Sequence, residues 1–428
     1  MNQLTTSPTV ALRGQLPVPG DKSISHRALM LGALAEGTSQ ISGFLPCGDC
    51  LATLCCLRAL GIRINCHDAT TITLHGRGLH GLQAPVGPLH CARSGTTMRL
   101  LAGILAGQPF SSTLTGDPQL LRRPMRRVLE PLRHMGAAIA GADAADHGPL
   151  IIRGARLRGF EHTLTIASAQ VKSALLLAGL YADRTTVVRQ CGPARDHTER
   201  MLAAMGADIR VEGLDVSLRP PPSLSPLSLH VPGDFSSAAF LLVAGALIPN
   251  AEITIPDVCI NPTRTGLLDG LQKMDARFAI RNKREQSSEP LADLVISTSK
   301  LRGIEIAGHT VVRMIDELPV LAVAATQARG TTVVRDAAEL RVKETDRIAA
   351  MAQELDKLGA DITPLPDGFV IRGPTPLHGG TVSSHGDHRL AMALAVAGLV
   401  ADQPVTIRET ACIADSFPGF EEILHSNF

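Results

Sequence analysis

At 428 residues the chain exceeds the roughly 250–300 residues that one hydrophobic core usually supports, so two domains are expected. Aromatic residues make up 3% of it, with no Trp and one Tyr, so the core must be aliphatic and base-stacking platforms for single-stranded nucleic acid are disfavoured. Lys and Arg number 41 against 40 Asp and Glu, and a net charge of +1 leaves no global field for nucleic acid or a membrane surface.

Nine Cys, an odd number without regular spacing, read as reduced thiols of a cytoplasmic protein. Residues 1–20 hold one Arg and no apolar stretch, so no secretory signal is expected. The longest apolar runs, such as 390–401, fall short of the roughly 18 residues needed to span a bilayer.

Taken in chain order, the elements repeat six times. Polar starts at 20–27 (GDKSISHR), 93–99 (RSGTTMR), 167–172 (ASAQVK), 233–237 (GDFSS), 315–319 (IDELP) and 386–389 (GDHR) each lead into a small-residue apolar run of helix length. A β-like run rich in Thr, Val and Ile follows each one, from TSQISGF at 38–44 to VTIRET at 405–410. An amphipathic second helix comes next, mostly ending in Gly, as in LATLCCLRALG and TDRIAAMAQELDKLG. One or two further strands close each full unit, and the sixth copy is clipped. The unit is roughly 70 residues, longer than solenoid periods of about 20–50. The copies divide into two sets of three, with crossings expected near Gly20 and Gly233. The segment 281–292 (RNKREQSSEPLA) is expected to be an exposed polar loop. Six helix starts can aim their unsatisfied N–H groups at one cleft, which would favour anions.

Along the chain, Lys22, Ser23 and Arg27 set an ammonium, a hydroxyl and a guanidinium about one helical turn apart, a site for phosphate or carboxylate. The bland reading is a capped surface helix with solvated charges, but the apolar run that follows buries the helix and favours the site. The Cys47, Cys50, Cys55 and Cys56 group lacks a second pair at zinc spacing, so buried thiols are expected. Gly95-Thr96-Thr97 precedes a helix at Met98 and lets backbone approach a phosphate, although the P-loop spacing is missing. In 121–127 four Arg surround Pro124, which suits the first helical position; Arg123 is the one expected to turn inward. Lys343 and Arg347 are placed on one helix face by i, i+4 spacing, with Glu344 beside them. Asp316 and Glu344 are carboxylates among cationic starts, as acid–base chemistry on anions requires, whereas a lone carboxylate at a helix start is more often a cap.

Together PGDKSISHR at 19–27, SGTTMRLLAG at 94–103, RRPM at 122–125, SAQVKSALLLAGL at 168–180, RDHTERML at 195–202, DELP at 316–319, RVKETDRI at 341–348 and GDHRLAMA at 386–393 resemble the 5-enolpyruvylshikimate-3-phosphate synthase family of enolpyruvyl transferases. The resemblance spans the chain. It implies an α/β, two-lobed enolpyruvyl transferase fold of six βαβαββ units, three per lobe, with helix N-termini facing the inter-lobe cleft. One lobe would comprise 1–20 with 234–428, the other 21–233. It implies transfer of the enolpyruvyl group of phosphoenolpyruvate to the 5-hydroxyl of shikimate 3-phosphate, without metal or organic cofactor, by a monomer open to inhibition by glyphosate. Lys22, Ser23, Arg27, Ser168, Gln170, Arg195, Asp316 and Lys343 are then expected on shikimate 3-phosphate. Lys22, Gly95, Arg123, Gln170, Arg347 and Arg389 are expected on phosphoenolpyruvate, and Asp316, Glu344 and Lys22 in proton transfer.

Some positions depart from the family pattern. Arg93 stands where many members have Asn, Ala169 where some have Ser, Ala194 where many have Ser and some Tyr, and Asp415 where some carry a phosphoenolpyruvate-binding Lys. The related UDP-N-acetylglucosamine enolpyruvyl transferases use a loop Cys, and 116–123 has none. A catalytically dead anion-binding relative would be expected to lose Asp316, Lys343 or Glu344, and all three are present.

Overall fold

A computed structural model describes residues 2–427 and divides the chain into two compact units. Unit 1 comprises Met1–Pro19, Pro232–Glu285 and Pro290–Phe428; unit 2 comprises Gly20–Val231 with Gln286–Glu289. The excursion at Gln286–Glu289 has no counterpart in the expected boundaries.

The repeated elements form six sheets, five of four strands and one of three. In unit 2 the third copy runs Glu161–Thr163, helix Ala169–Gly179, Thr186–Arg189, helix His197–Ala204, Ile209–Glu212, Asp215–Leu218. Its first two strands are parallel across the helix, and the last two close an antiparallel hairpin. The second copy follows the same order. The first copy borrows its opening strand: Ser228–His230 pairs in parallel with Glu36–Ser42.

Unit 1 borrows as well. Arg13–Gln15 opens the sheet that holds Glu252–Cys259, and Gln3–Thr6 lies antiparallel to Val405–Arg408. The clipped sixth copy thus has a three-stranded sheet completed by the amino end. The segment 281–292 is a correction. Apart from the turn Ser287–Ser288 it lies in the strands Arg277–Gln286 and Glu289–Ser297, with outward charges along the first and a buried Glu289 in the second.

The small-residue helices form the centre of each unit. Phe235–Leu247 is buried along all but its last residue, and Leu318–Thr326 and His388–Gly398 along their whole length. A helix apolar all round belongs inside a core. Small residues let such helices approach closely: a Cβ on Gly103 would lie 2.2 Å from the carbonyl oxygen of Ala174 on the neighbouring helix. The second helices cover the outside, as Arg126–His134 does with Val128, Leu129 and Leu132 inward. Among the described residues no helix is long and apolar enough to cross a membrane. Cys47, Cys50 and Cys56 are buried as expected, whereas Cys55 is exposed on the outer face of its helix.

Candidate active site

In unit 2 the central helices are buried except at their first turns. Lys22 and Ser23, Thr96, and Ala169 and Gln170 are the residues left accessible. Each start is held by a cap that the sequence supplies. Asp21 accepts from Ile24 N at 2.9 Å, Ser94 from Thr97 N at 3.1 Å, and Ser168 from Val171 N at 3.4 Å.

Lys22 Nζ lies 3.0 Å from Asp49 Oδ2, both side chains being about one-sixth exposed (16% and 14%). Arg195 Nη1 donates to Ser23 Oγ at 3.4 Å. Arg27 is buried, donating to Thr198 Oγ1 (2.7 Å), Ser173 Oγ (2.7 Å) and the Ser23 carbonyl (3.0 Å). Burial, seconded by Arg195, draws its guanidinium down to about 10 against the opposing pull of Glu199, so it stays charged at neutral pH. Lys172 lies beneath, fully buried, 2.5 Å from Glu199 Oε1 and bonded to Gln190 and the Ala194 carbonyl. His197, at the start of the helix that carries Thr198 and Glu199, pairs with Glu289 at 2.7 Å.

The second and third helix starts meet through Gln170, which accepts from Arg99 Nη1 at 2.8 Å and donates to Thr96 Oγ1 at 3.0 Å. Gly95 is where backbone meets two guanidinium groups. A Cβ there would stand 2.5 Å from Arg99 Nη1 and 3.1 Å from Arg123 Nη1. Two expectations are corrected. The helix begins at Gly95 rather than Met98, so Gly95, Thr96 and Thr97 are its first turn. Pro124 is not a first helical residue, since the helix starts at Arg126 after the cap Met125. Arg123 faces Gly95 from a loop. Arg93 donates to Gln119 Oε1 from Nε at 2.9 Å and from Nη2 at 2.6 Å.

Unit 1 gathers its own cluster. Asp316 lies in the turn before Leu318–Thr326, 3.3 Å from Arg347 Nη1, 3.6 Å from Lys343 Nζ and 3.6 Å from Arg389 Nη2. Arg347, 1% exposed, also reaches Glu344 Oε2 and Asp387 Oδ2, both at 2.7 Å. Burial opposes its charge, but Asp387, Glu344 and Asp316 outweigh burial and raise the guanidinium above its ordinary range. Burial lowers Lys343, with Asp316 pulling the other way. Asp387 is fully buried and caps His388–Gly398 by accepting from Arg389 N at 2.9 Å.

The convergence of Lys343 and Arg347 is not helical, contrary to the spacing argument. Lys343 follows a 3₁₀ turn at Ala338–Val342 in extended backbone, and the α-helix starts at Arg347 behind its cap Asp346. The two cations meet at Asp316 because the chain bends between them. Behind them Ser236 donates to Glu317, Arg264 bonds to Asp234 (3.0 Å) and Ser236 (2.9 Å), and Arg389 Nη1 lies 3.9 Å from Glu317.

Sequence reasoning missed Asp49, Arg99, Ser173 and Thr198 in unit 2, and Arg264, Glu317 and the Arg347 partner Asp387 in unit 1. Arg99 was open to discovery at i+4 from Gly95. Thr198 and Arg264 reach their partners from far along the chain, where spacing carries no signal.

Unit 2 sets cations and backbone N–H groups at helix starts, where anions bind well. Unit 1 sets carboxylates among cations, where protons move on charged substrates. The two define an enzyme for small anionic substrates.

The comparisons with known proteins agree. The family described as EPSP synthase (3-phosphoshikimate 1-carboxyvinyltransferase) matches residues 6–424. The chain is 53% identical to a 3-phosphoshikimate 1-carboxyvinyltransferase of Desulforudis audaxviator over 99% of both chains. It is 52% identical to one of Geobacillus kaustophilus, over 97% of this chain and 98% of that one. An EPSP synthase structure from Acinetobacter baumannii superposes with a TM-score of 0.89 at 45% identity, covering 100% of this chain and 98% of that one. The chain belongs to the EPSP synthase family, has its two-lobed enolpyruvyl transferase fold, and is an enzyme of the shikimate pathway.

Proposed function

We propose that both units supply residues to one reaction, in which the 5-hydroxyl of shikimate 3-phosphate attacks C2 of phosphoenolpyruvate and phosphate then leaves. Lys22, Ser23, Arg27, Ser168, Gln170 and Arg195 hold shikimate 3-phosphate from unit 2. Each terminal nitrogen of Arg27 keeps one N–H beyond its bonds to Ser23 and Ser173, which suits a paired contact with phosphate. Lys22, Gly95, Arg123, Gln170, Arg347 and Arg389 bind phosphoenolpyruvate.

Asp316 takes the proton of the attacking hydroxyl, with Lys343 steadying the ring hydroxyls. Glu344 or Lys22 delivers a proton to C3; as the tetrahedral adduct collapses, the C2–O bond to phosphate breaks and the same group, now deprotonated, takes a proton back from the C3 methyl, which restores the vinyl ether. Phosphate is already a good leaving group, so the reaction asks for no metal or organic cofactor. Fixed cations offset the mutual repulsion of two polyanions and stabilise the charge that develops, often the largest catalytic contribution.

The observation that carries this reading is the placement of Asp316. It is a carboxylate in the turn before a buried helix, ringed by Lys343, Arg347 and Arg389. Anionic substrates compete for those cations and so loosen their hold on the base.

The same reading makes the protein a cytoplasmic monomer. Glyphosate would compete at the Gly95–Arg123 corner, where a side chain on residue 95 would crowd Arg99 and Arg123. Asp316→Ala should keep its affinity for shikimate 3-phosphate by calorimetry while phosphate release falls about 10²–10⁴-fold. A near-native rate would overturn the base assignment. UDP-N-acetylglucosamine in place of shikimate 3-phosphate should release no phosphate.

A further inference from the structure

Unit 2 contains a buried polar chain that the reaction described above does not use. His26, Thr53, Thr97 and Ser94 are all fully buried, on or capping three different helices. His26 Nδ1 lies 2.7 Å from Thr53 Oγ1, Thr53 Oγ1 lies 2.7 Å from Thr97 Oγ1, and Thr97 Oγ1 donates to Ser94 Oγ at 2.8 Å.

The proton directions follow from the far end. Thr97 spends its hydroxyl hydrogen on Ser94, with the Asp49 carbonyl as a longer acceptor at 3.5 Å. Thr97 Oγ1 therefore accepts from the Thr53 hydroxyl, and Thr53 accepts in turn from His26. The imidazole carries its hydrogen on Nδ1. Its Nε2, buried and without a hydrogen-bond partner among the described residues, is left as the unprotonated nitrogen. Burial, then Lys22 and Arg27, hold the ring neutral.

This chain does more than fill space, a task Leu and Val would perform without polar atoms. It joins the helix that begins at Lys22, the helix that carries Asp49, and the turn formed by Gly95, Thr96 and Thr97. Each link is at or below 2.8 Å. Lys22 and Asp49 close the loop from the accessible side at 3.0 Å. Short buried hydrogen bonds that tie three helices together fix relative position more tightly than apolar packing.

We infer that His26 is a positioning residue for phosphoenolpyruvate, holding the Gly95–Thr97 turn in register with the Lys22–Asp49 pair through Thr53 and Thr97. The inference rests on the assignment of Lys22, Gly95 and Arg123 to that substrate. Thr53→Val is nearly isosteric and cuts the chain in the middle. It should raise KM for phosphoenolpyruvate about tenfold while kcat and the Kd of shikimate 3-phosphate stay within about twofold. Thr53→Ser should restore the wild-type value, and His26→Leu combined with Thr53→Val should be no worse than Thr53→Val, because one chain is broken once.

An unchanged KM for phosphoenolpyruvate with a lowered Tm, or an equal weakening of both substrates, would overturn the inference. If Thr53→Val does not fold, Thr97→Ala, which removes the links to Ser94 and the Asp49 carbonyl, is judged by the same two outcomes. Lys22→Ala separates the two levels. If that variant keeps a wild-type KM for phosphoenolpyruvate, the substrate assignment fails. If it loses affinity while Thr53→Val does not, the positioning role alone fails.

Discussion

Replacing Arg347 with Met should unfold unit 1 well before unit 2. Arg347 is 1% exposed and its guanidinium serves Asp387, Glu344 and Asp316 at 2.7, 2.7 and 3.3 Å. Met fills similar volume but leaves Asp387, fully buried, with the N–H groups it caps and no guanidinium. Removing one partner of a buried ion pair costs about 3–5 kcal/mol. That is a fifth or more of the roughly 5–15 kcal/mol that keeps a domain folded. With a urea m-value of about 2–3 kcal/mol/M, the unit 1 midpoint should fall by about 1–2 M. Hydrogen exchange across urea concentrations resolves the units: helices Arg347–Lys357 and His388–Gly398 report unit 1, and Ala169–Gly179 reports unit 2. Arg347→Lys should fall between the two, since an ammonium keeps the charge without the planar fork. A unit 1 shift below about 0.3 M, or an equal shift in unit 2, would refute the reasoning.

Two further outcomes are expected. His26 has a folded-state pKa held below its unfolded value, so as pH falls below about 6.5 the unfolded chain takes up a proton that the folded chain refuses. Stability from this group is complete above that pH and is lost below it at about 1.4 kcal/mol per pH unit, and denaturation of His26→Gln against pH should lack that component. Gly103→Val places carbon against the backbone of Ala174, not against a side chain that can swing away. Thermal unfolding should show a loss of about 1–3 kcal/mol or more, and a loss under 0.5 kcal/mol would mean that the two helices slide apart freely.

Helix starts were legible in the sequence because the residues that make them are local. Asp21, Ser94, Ser168, Asp234 and Asp387 each cap within three residues of themselves. The alternation of six polar starts with six apolar runs marked the repeat and many of the residues proposed for the site. What escaped was non-local. Leu89–His90 and Glu305–Ile306 are two-residue strands with no pattern to read. The strand Arg277–Gln286 carries charge along its exposed length, so it read as a loop. The burial of Glu289 depends on His197, 92 positions away. The pairing of Lys343 and Arg347 was anticipated on helical spacing, yet a bend in the chain produces it.

The borrowed strands impose an order on biosynthesis. Unit 2 has every one of its sheet strands once residue 230 has left the ribosome. The amino end has no such partner in reach. Thr5 meets Thr406, 401 positions away, so the strand Gln3–Thr6 is made long before the strand that pairs with it. At about 5–20 residues per second it waits roughly 20–80 seconds, an unpaired edge exposed to chaperones and proteases.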